Sequence, residues 1–314
     1  MDGNAAMKRN AMLLIWAWVL ALAAPAWADG KRLIPHSEQA TGGYLSSQLL
    51  LKPCADIDAL GFAGDETVQR SAADARQALP AGTCENGALV EKLFKARFLQ
   101  HATLAMVYTP WQLDEQIARQ QRVIGRCRDT QCLARELDRV IAVLAPVYLG
   151  ARRQWPRGKG LCSADPRQTP ASQALALLEP DAAKAISATC AESEVNAQTC
   201  RGPQGPMLLV SCGLSGNQVN SDQWLFLARK TPPEPLLAVE DGPVAVLATT
   251  CNGLPDLMTQ ARVSAGEQYV SYYRYDGRAY RQLYAQSHEF VGNDAHGNDL
   301  MIAQGRAEAR VVCH

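Results

Sequence analysis

The sequence has 314 residues, with 31 Lys and Arg against 31 Asp and Glu, so its formal net charge is zero. That balance supplies no broad field for attracting nucleic acid or an anionic membrane surface. Hydrophobic residues make up 47% of the chain, and its length is enough for two domains, each with its own core.

The first residues read as an export signal. Lys8 and Arg9 form a charged start, Ala11 to Ala24 an apolar run, and Ala26-Trp27-Ala28 a small-residue cleavage site. Residues 1–28 are therefore expected to be a signal peptide, cut between Ala28 and Asp29. The uncharged run is short for a membrane span, and Pro25 interrupts it. No later apolar stretch reaches spanning length. The mature chain is thus expected to be periplasmic or secreted and not membrane-spanning. Its ten cysteines all follow the cleavage site, from Cys54 to Cys313. An even count in an exported chain points to disulfides. No Cys-x-x-Cys occurs, and no histidine pair sits at ligand spacing beside the cysteines, so zinc and thioredoxin-like readings lack their spacing.

In chain order, residues 29–150 read as a helical domain. An alanine-rich stretch from Val68 to Leu79 is a first candidate helix, flanked by Cys54 and Cys84, whose pairing would tie it down. Leu89, Leu93, Phe94 and Phe98 share a helical face, as do Leu113, Ile117 and Ile124. Thr109-Pro110 separates the two. Leu133, Leu137, Val140, Ile141 and Leu144 form a third stripe, and together these helices suggest a disulfide-braced bundle. Residues 151–206 read as a linker with short helices near Ser172 to Leu178 and Asp181 to Ala188. A basic run from Arg152 to Lys159 opens it, and such runs are usually solvated. Cys190 and Cys200 enclose a polar loop that a local bridge would staple.

Residues 207–314 read as an antiparallel β-domain, making the fold class α+β. Short apolar runs at Met207 to Cys212, Gln223 to Ala228, Leu236 to Val239 and Pro243 to Thr250 alternate with turn residues. Asp276-Gly277 sits between Tyr272-Tyr273-Arg274-Tyr275 and Arg278-Ala279-Tyr280-Arg281, which predicts a hairpin with a type I′ turn. On such a hairpin one set of tyrosines faces the core and the other solvent. Tyr272, Tyr273, Tyr275 and Tyr280 are therefore the candidate binding surface, although cross-strand aromatic pairs also stabilise hairpins with no ligand.

The sequence nominates no catalytic, cofactor-binding or metal-binding residue. His36, His101, His288, His296 and His314 stand in no nucleophile or zinc motif, and no glycine-rich phosphate loop or Gly-x-Ser-x-Gly elbow appears. Gly292-Asn293-Asp294-Ala295-His296-Gly297-Asn298-Asp299 is rich in oxygen ligands, but it lacks EF-hand spacing and reads as a turn. Asp114-Glu115 and the Glu192, Glu194 pair read as solvated faces.

Cys127 and Cys132 are the closest cysteines and the candidate structural disulfide, closing a small loop at a helix entry. With Gln121-Arg122 before them, and Leu133, Ile141 and Leu144 after, they give residues 113–144 a pattern that resembles the lysozyme inhibitor LprI-like proteins of bacterial envelopes. Leu137 and Val140 stand where that family usually has tyrosine and arginine. The resemblance implies a helical module that presents a rigid surface to an attacking lysozyme. Asn252-Gly253-Leu254-Pro255-Asp256-Leu257 and the following hairpin also look like β-domains that end many exported bacterial proteins. The expected partner is a protein or glycan of the cell envelope, with lysozyme the most concrete choice. The competing readings are a cell-wall-directed hydrolase, which needs a cleft holding a histidine beside a carboxylate, and an envelope assembly factor.

Overall fold

The computed structural model describes residues 34–35, 53–54, 66–152, 159–162, 166–213, 220–240, 242–294 and 297–314. The expected signal peptide lies outside these residues, as do His36, His296 and most of the basic run after Arg152. The fold is α+β. Helices α1 (Glu66–Gln77), α2 (Gly87–Met106), α3 (Pro110–Ile124) and α4 (Thr130–Arg152) come first. Strands β1 (Lys159–Gly160) and β2 (Arg167–Thr169) lead into the short helices α5 (Ala171–Leu177) and α6 (Pro180–Thr189). Nine strands complete the order: β3 (Val195–Gly202), β4 (Gly205–Cys212), β5 (Gln223–Leu227), β6 (Glu234–Val239), β7 (Ala245–Cys251), β8 (Leu254–Arg262), β9 (Glu267–Tyr275), β10 (Tyr280–Asn293) and β11 (Asp299–Ala307). No helix among the described residues is long and apolar enough to cross a membrane.

The chain divides into two compact units, each built from separated segments. One takes residues 1–99, 123–150 and 291–300; the other takes 100–122, 151–290 and 301–314. The helical half is therefore not a self-contained bundle, because α3 and the last turns of α2 belong with the sheets. In the first unit, α4 buries Leu133, Leu137, Val140 and Leu144, the stripe expected from its spacing. Its entry is fixed twice: the Asp129 side chain accepts the Cys132 N–H at 2.7 Å, and Cys127 is bonded to Cys132. Phe98 meets Tyr148 edge to face, with ring centroids 5.6 Å apart. Cys54 is bonded to Cys84.

The second unit is a stack of four layers. Sheet B has the order β2-β3-β4-β5-β6 and sheet A the order β1-β7-β8-β9-β10-β11. Alternation along each strand builds the stack. In β4, Leu208 and Val210 pack under α5 and α6 with Ala174 and Ile186, while Met207 points the other way, to Leu257, Tyr273 and Tyr275 of sheet A. The far face of sheet A carries Met258, Val270, Tyr272 and Tyr284, against Tyr108 and Trp111. The order is helices, sheet B, sheet A, helix.

Two disulfides stitch these layers, and a third ties the C-terminal tail to sheet A. Cys162, just after β1 of sheet A, is bonded to Cys200 of β3 in sheet B. Cys190, at the end of α6, is bonded to Cys212 at the end of β4, and Cys251 of β7 is bonded to Cys313. The expected Cys190 to Cys200 staple is corrected: Cys200 lies in the core between the sheets and Cys190 in the core under the helices, so sheet B separates them.

The turns follow their residue chemistry, with one exchange. Asn252 and Gly253 both have positive φ and join β7 to β8 as a two-residue hairpin turn, with Cys251 opposite Leu254. Asp276-Gly277 instead begins a four-residue loop, because Tyr275 pairs with Tyr280. The Asp276 carboxylate accepts the N–H groups of Arg278 and Ala279, closing that loop without a positive φ at the aspartate. Those donors and Arg281 pull the carboxyl down to about 2.

Candidate functional site

The proposed tyrosine surface does not exist. Tyr272, Tyr273, Tyr275 and Tyr280 are all buried, because both faces of the hairpin are covered. Tyr273, Tyr275 and Tyr280 face sheet B, and Tyr272 faces the helical layer. A register shift between Gln282 and Tyr284 adds one residue to β10 and inverts the alternation beyond it. Tyr284 therefore faces the helical layer, although it lies four residues after Tyr280. The hydroxyls are placed within the fold: Tyr280 donates to the Pro255 carbonyl at 2.9 Å, Tyr275 to Gly277 at 2.9 Å, and Tyr272 to Gln286 Oε1 at 3.2 Å.

The helix-facing side of sheet A carries most of the polar chemistry. Asp256 and Arg274 form a two-pronged ion pair, Nε to Oδ1 at 3.1 Å and Nη2 to Oδ2 at 2.7 Å, and the Thr249 hydroxyl donates to Oδ2 at 2.7 Å. The Asp256 side chain is 1% exposed and that of Arg274 16%. The guanidinium lies 5.1 Å from the Trp111 ring centroid, and Trp111 meets Tyr272 edge to face at 5.9 Å. Further along, Gln286 accepts from Tyr272 and lies 2.9 Å from His288 Nε2, so that nitrogen carries the proton. The Gln286 Nε2 donates to the Leu104 carbonyl at 3.0 Å. Burial pushes His288 down to about 4 and raises the carboxyl of Asp114. Among the described residues no hydrogen bond of regular geometry reaches the buried Tyr284 hydroxyl, which interacts more loosely with Asp114 and Gln286. Its ring crosses Gly305, where a Cβ would overlap it.

This arrangement is suited to holding layers together. His288 is buried and sits against an amide, which neither takes nor gives up a proton. His101 lies 3.0 Å from the Ala303 carbonyl, and the backbone N–H of His314 donates to Asn252. In the turn between β10 and β11, the Asp294 carboxylate accepts the backbone and side-chain N–H groups of Asn298. Among the described residues no group of three or more metal-ligating side chains gathers.

The more open feature is a cavity of about 470 Å³ at the β3–β4 hairpin, lined by Arg167, Thr199, Arg201, Pro203 and Pro206 among others. Arg167 pairs directly with Thr199, and Thr199 precedes Arg201 by two residues, so all three share one face of sheet B. The Thr199 hydroxyl lies 3.4 Å from the Arg167 carbonyl. Sequence reading missed this cluster, since it depends on β2 returning to β3 across two intervening helices. A second hollow of about 300 Å³ is lined by Tyr269, Gln304 and Arg306, but Arg306 is already paired with Glu308.

No family model, curated protein or solved structure matches the chain.

Proposed function

We propose that the chain is an exported binding protein of the bacterial cell envelope, and that its partner is a protein or glycan there, lysozyme being the most concrete case. The observation that carries this reading is the pairing of all ten cysteines into five disulfides, with none free. Such density belongs to an oxidising compartment, in keeping with the export signal read at residues 1–28. Bridges between layers also fix surface loops before any partner arrives, which lowers the entropic cost of association. The LprI-like pattern around Cys127 and Cys132 supports lysozyme as the partner.

The test uses the oxidised mature protein in excess over lysozymes of several types acting on bacterial cell walls. Slowed clearing of the wall suspension, and capture of a lysozyme from envelope extract, are the expected results. Full lysozyme activity throughout rejects the inhibitor form. Failure to capture any envelope component rejects the binding reading itself.

A further inference from the structure

We propose that the cavity beside the β3–β4 hairpin binds the carboxylate of an acidic sugar. The site is assembled by register. Ala197, Thr199 and Arg201 alternate along β3 on one face of sheet B, and α5 and α6 cover that face around Ala197. Thr199 and Arg201 lie further along, and β2 sets Arg167 beside Thr199. The described lining thus brings together two guanidinium groups and a hydroxyl with no acidic side chain. Arg167 already has an interaction partner, so the contact is assigned to Arg201. Arg201 is exposed and forms no ion pair among the described residues, so its planar fork is available for a two-point contact with a carboxylate.

The remainder of the wall is apolar and stiff. Cys200, between Thr199 and Arg201, is held by its bond to Cys162, while Pro203 lies in the turn and Pro206 just after it in β4. Gly205 has a φ of 130°, which only glycine adopts freely. Flat proline faces suit the C–H side of a sugar ring, while Thr199 and the arginines suit its polar substituents. A cavity of about 470 Å³ falls within the range of small-ligand sites. The same prolines count against phosphate. Phosphate sites draw on converging backbone N–H groups, and Pro203 and Pro206 have none. The choice of a sugar as the bearer of the carboxylate rests on the envelope reading above; the anion chemistry stands apart from it.

The test is an NMR shift titration of the oxidised mature protein with glucuronic acid, glucose and glucose 1-phosphate. Glucuronate should give saturable shifts over residues 199–206 with a millimolar Kd, and glucose should give none. Arg201→Gln should weaken glucuronate binding by about tenfold or more, the scale of a lost charge-assisted contact, while Arg306→Gln, at the other hollow, should leave it unchanged. The remaining resonances of Arg201→Gln report whether the exposed substitution has disturbed the fold. Absence of saturable shifts, equal binding by Arg201→Gln, or tighter binding of glucose 1-phosphate overturns the proposal. Loss of the sugar site with envelope capture intact removes this inference alone. Sugar binding without any captured envelope component removes the partner reading and leaves the anion site.

Discussion

The two faces of sheet A are buried by different means. Toward sheet B the contact is nearly all apolar: Leu254, Leu257, Tyr273, Tyr275 and Tyr280 meet Met207, Leu225, Leu227 and Leu236. Toward α3 the sheet presents an ion pair, an amide, a histidine and stacked rings. Apolar packing tolerates changes of shape that keep volume. A buried polar layer needs each donor and acceptor matched, so it fixes register and orientation more strictly. The helical face should therefore be the one that fails when a single partner is removed or the pH falls.

The largest effect is expected at Asp256. Asp256→Ala leaves the Arg274 guanidinium unpaired beneath Trp111 and removes the acceptor of the Thr249 hydroxyl. A broken buried pair costs about 3–5 kcal/mol, read as a lower denaturation midpoint in urea. The double replacement Asp256→Leu with Arg274→Met removes both charges and should recover most of that loss, because no charge is stranded. A double variant as unstable as Asp256→Ala would mean that shape, not charge balance, governs this face.

Next in size is a pH effect. His288 is held near 4 by burial, against an ordinary value of 6.5. Between those values the unfolded chain binds a proton that the folded chain refuses. Stability from this group is complete above about 6.5, falls as pH drops toward 4, and falls no further below it. The sum is on the order of 3 kcal/mol. Urea midpoints measured from pH 7 to pH 4 should show that slope in the natural protein and a reduced slope in His288→Gln. Equal slopes would place the acid sensitivity elsewhere.

The contrast between the faces also explains what was legible in the sequence. The stripe on α4 and the β4 to β7 runs were readable because each depends on spacing within one segment; the bond between Cys54 and Cys84 matches the expected pairing, although spacing alone does not fix connectivity. Burial of the tyrosine hairpin was not. Its alternation implied one wet face, but β9 and β10 lie inside the sheet with layers on both sides, and apolar residues at both parities fit either a buried strand or an ordinary one. The extra residue near Leu283, which sends Tyr280 and Tyr284 to opposite faces, leaves no local signature. Arg167 and Arg201 are 34 positions apart in the numbering and are joined only through strand pairing, and the Cys190 partner depended on which side of sheet B each cysteine occupied.

The smallest expected effect separates two tyrosines on the helical face that differ in one bond. Tyr272 donates to Gln286, an amide that also meets His288 and Leu104, so Tyr272→Phe takes one donor from a buried acceptor and should cost about 1 kcal/mol. Tyr284 is as deeply buried, but among the described residues no hydrogen bond of regular geometry reaches its hydroxyl, which interacts only loosely with Asp114 and already carries the cost of desolvation. Tyr284→Phe keeps the ring against Gly305 and Tyr272 and discards only that hydroxyl, so stability should be unchanged or slightly raised. Urea midpoints of the two variants, compared at pH 7, decide the matter. An equal loss in both would mean that Tyr284 is held by a bond to Asp114 and belongs to the same network as Tyr272.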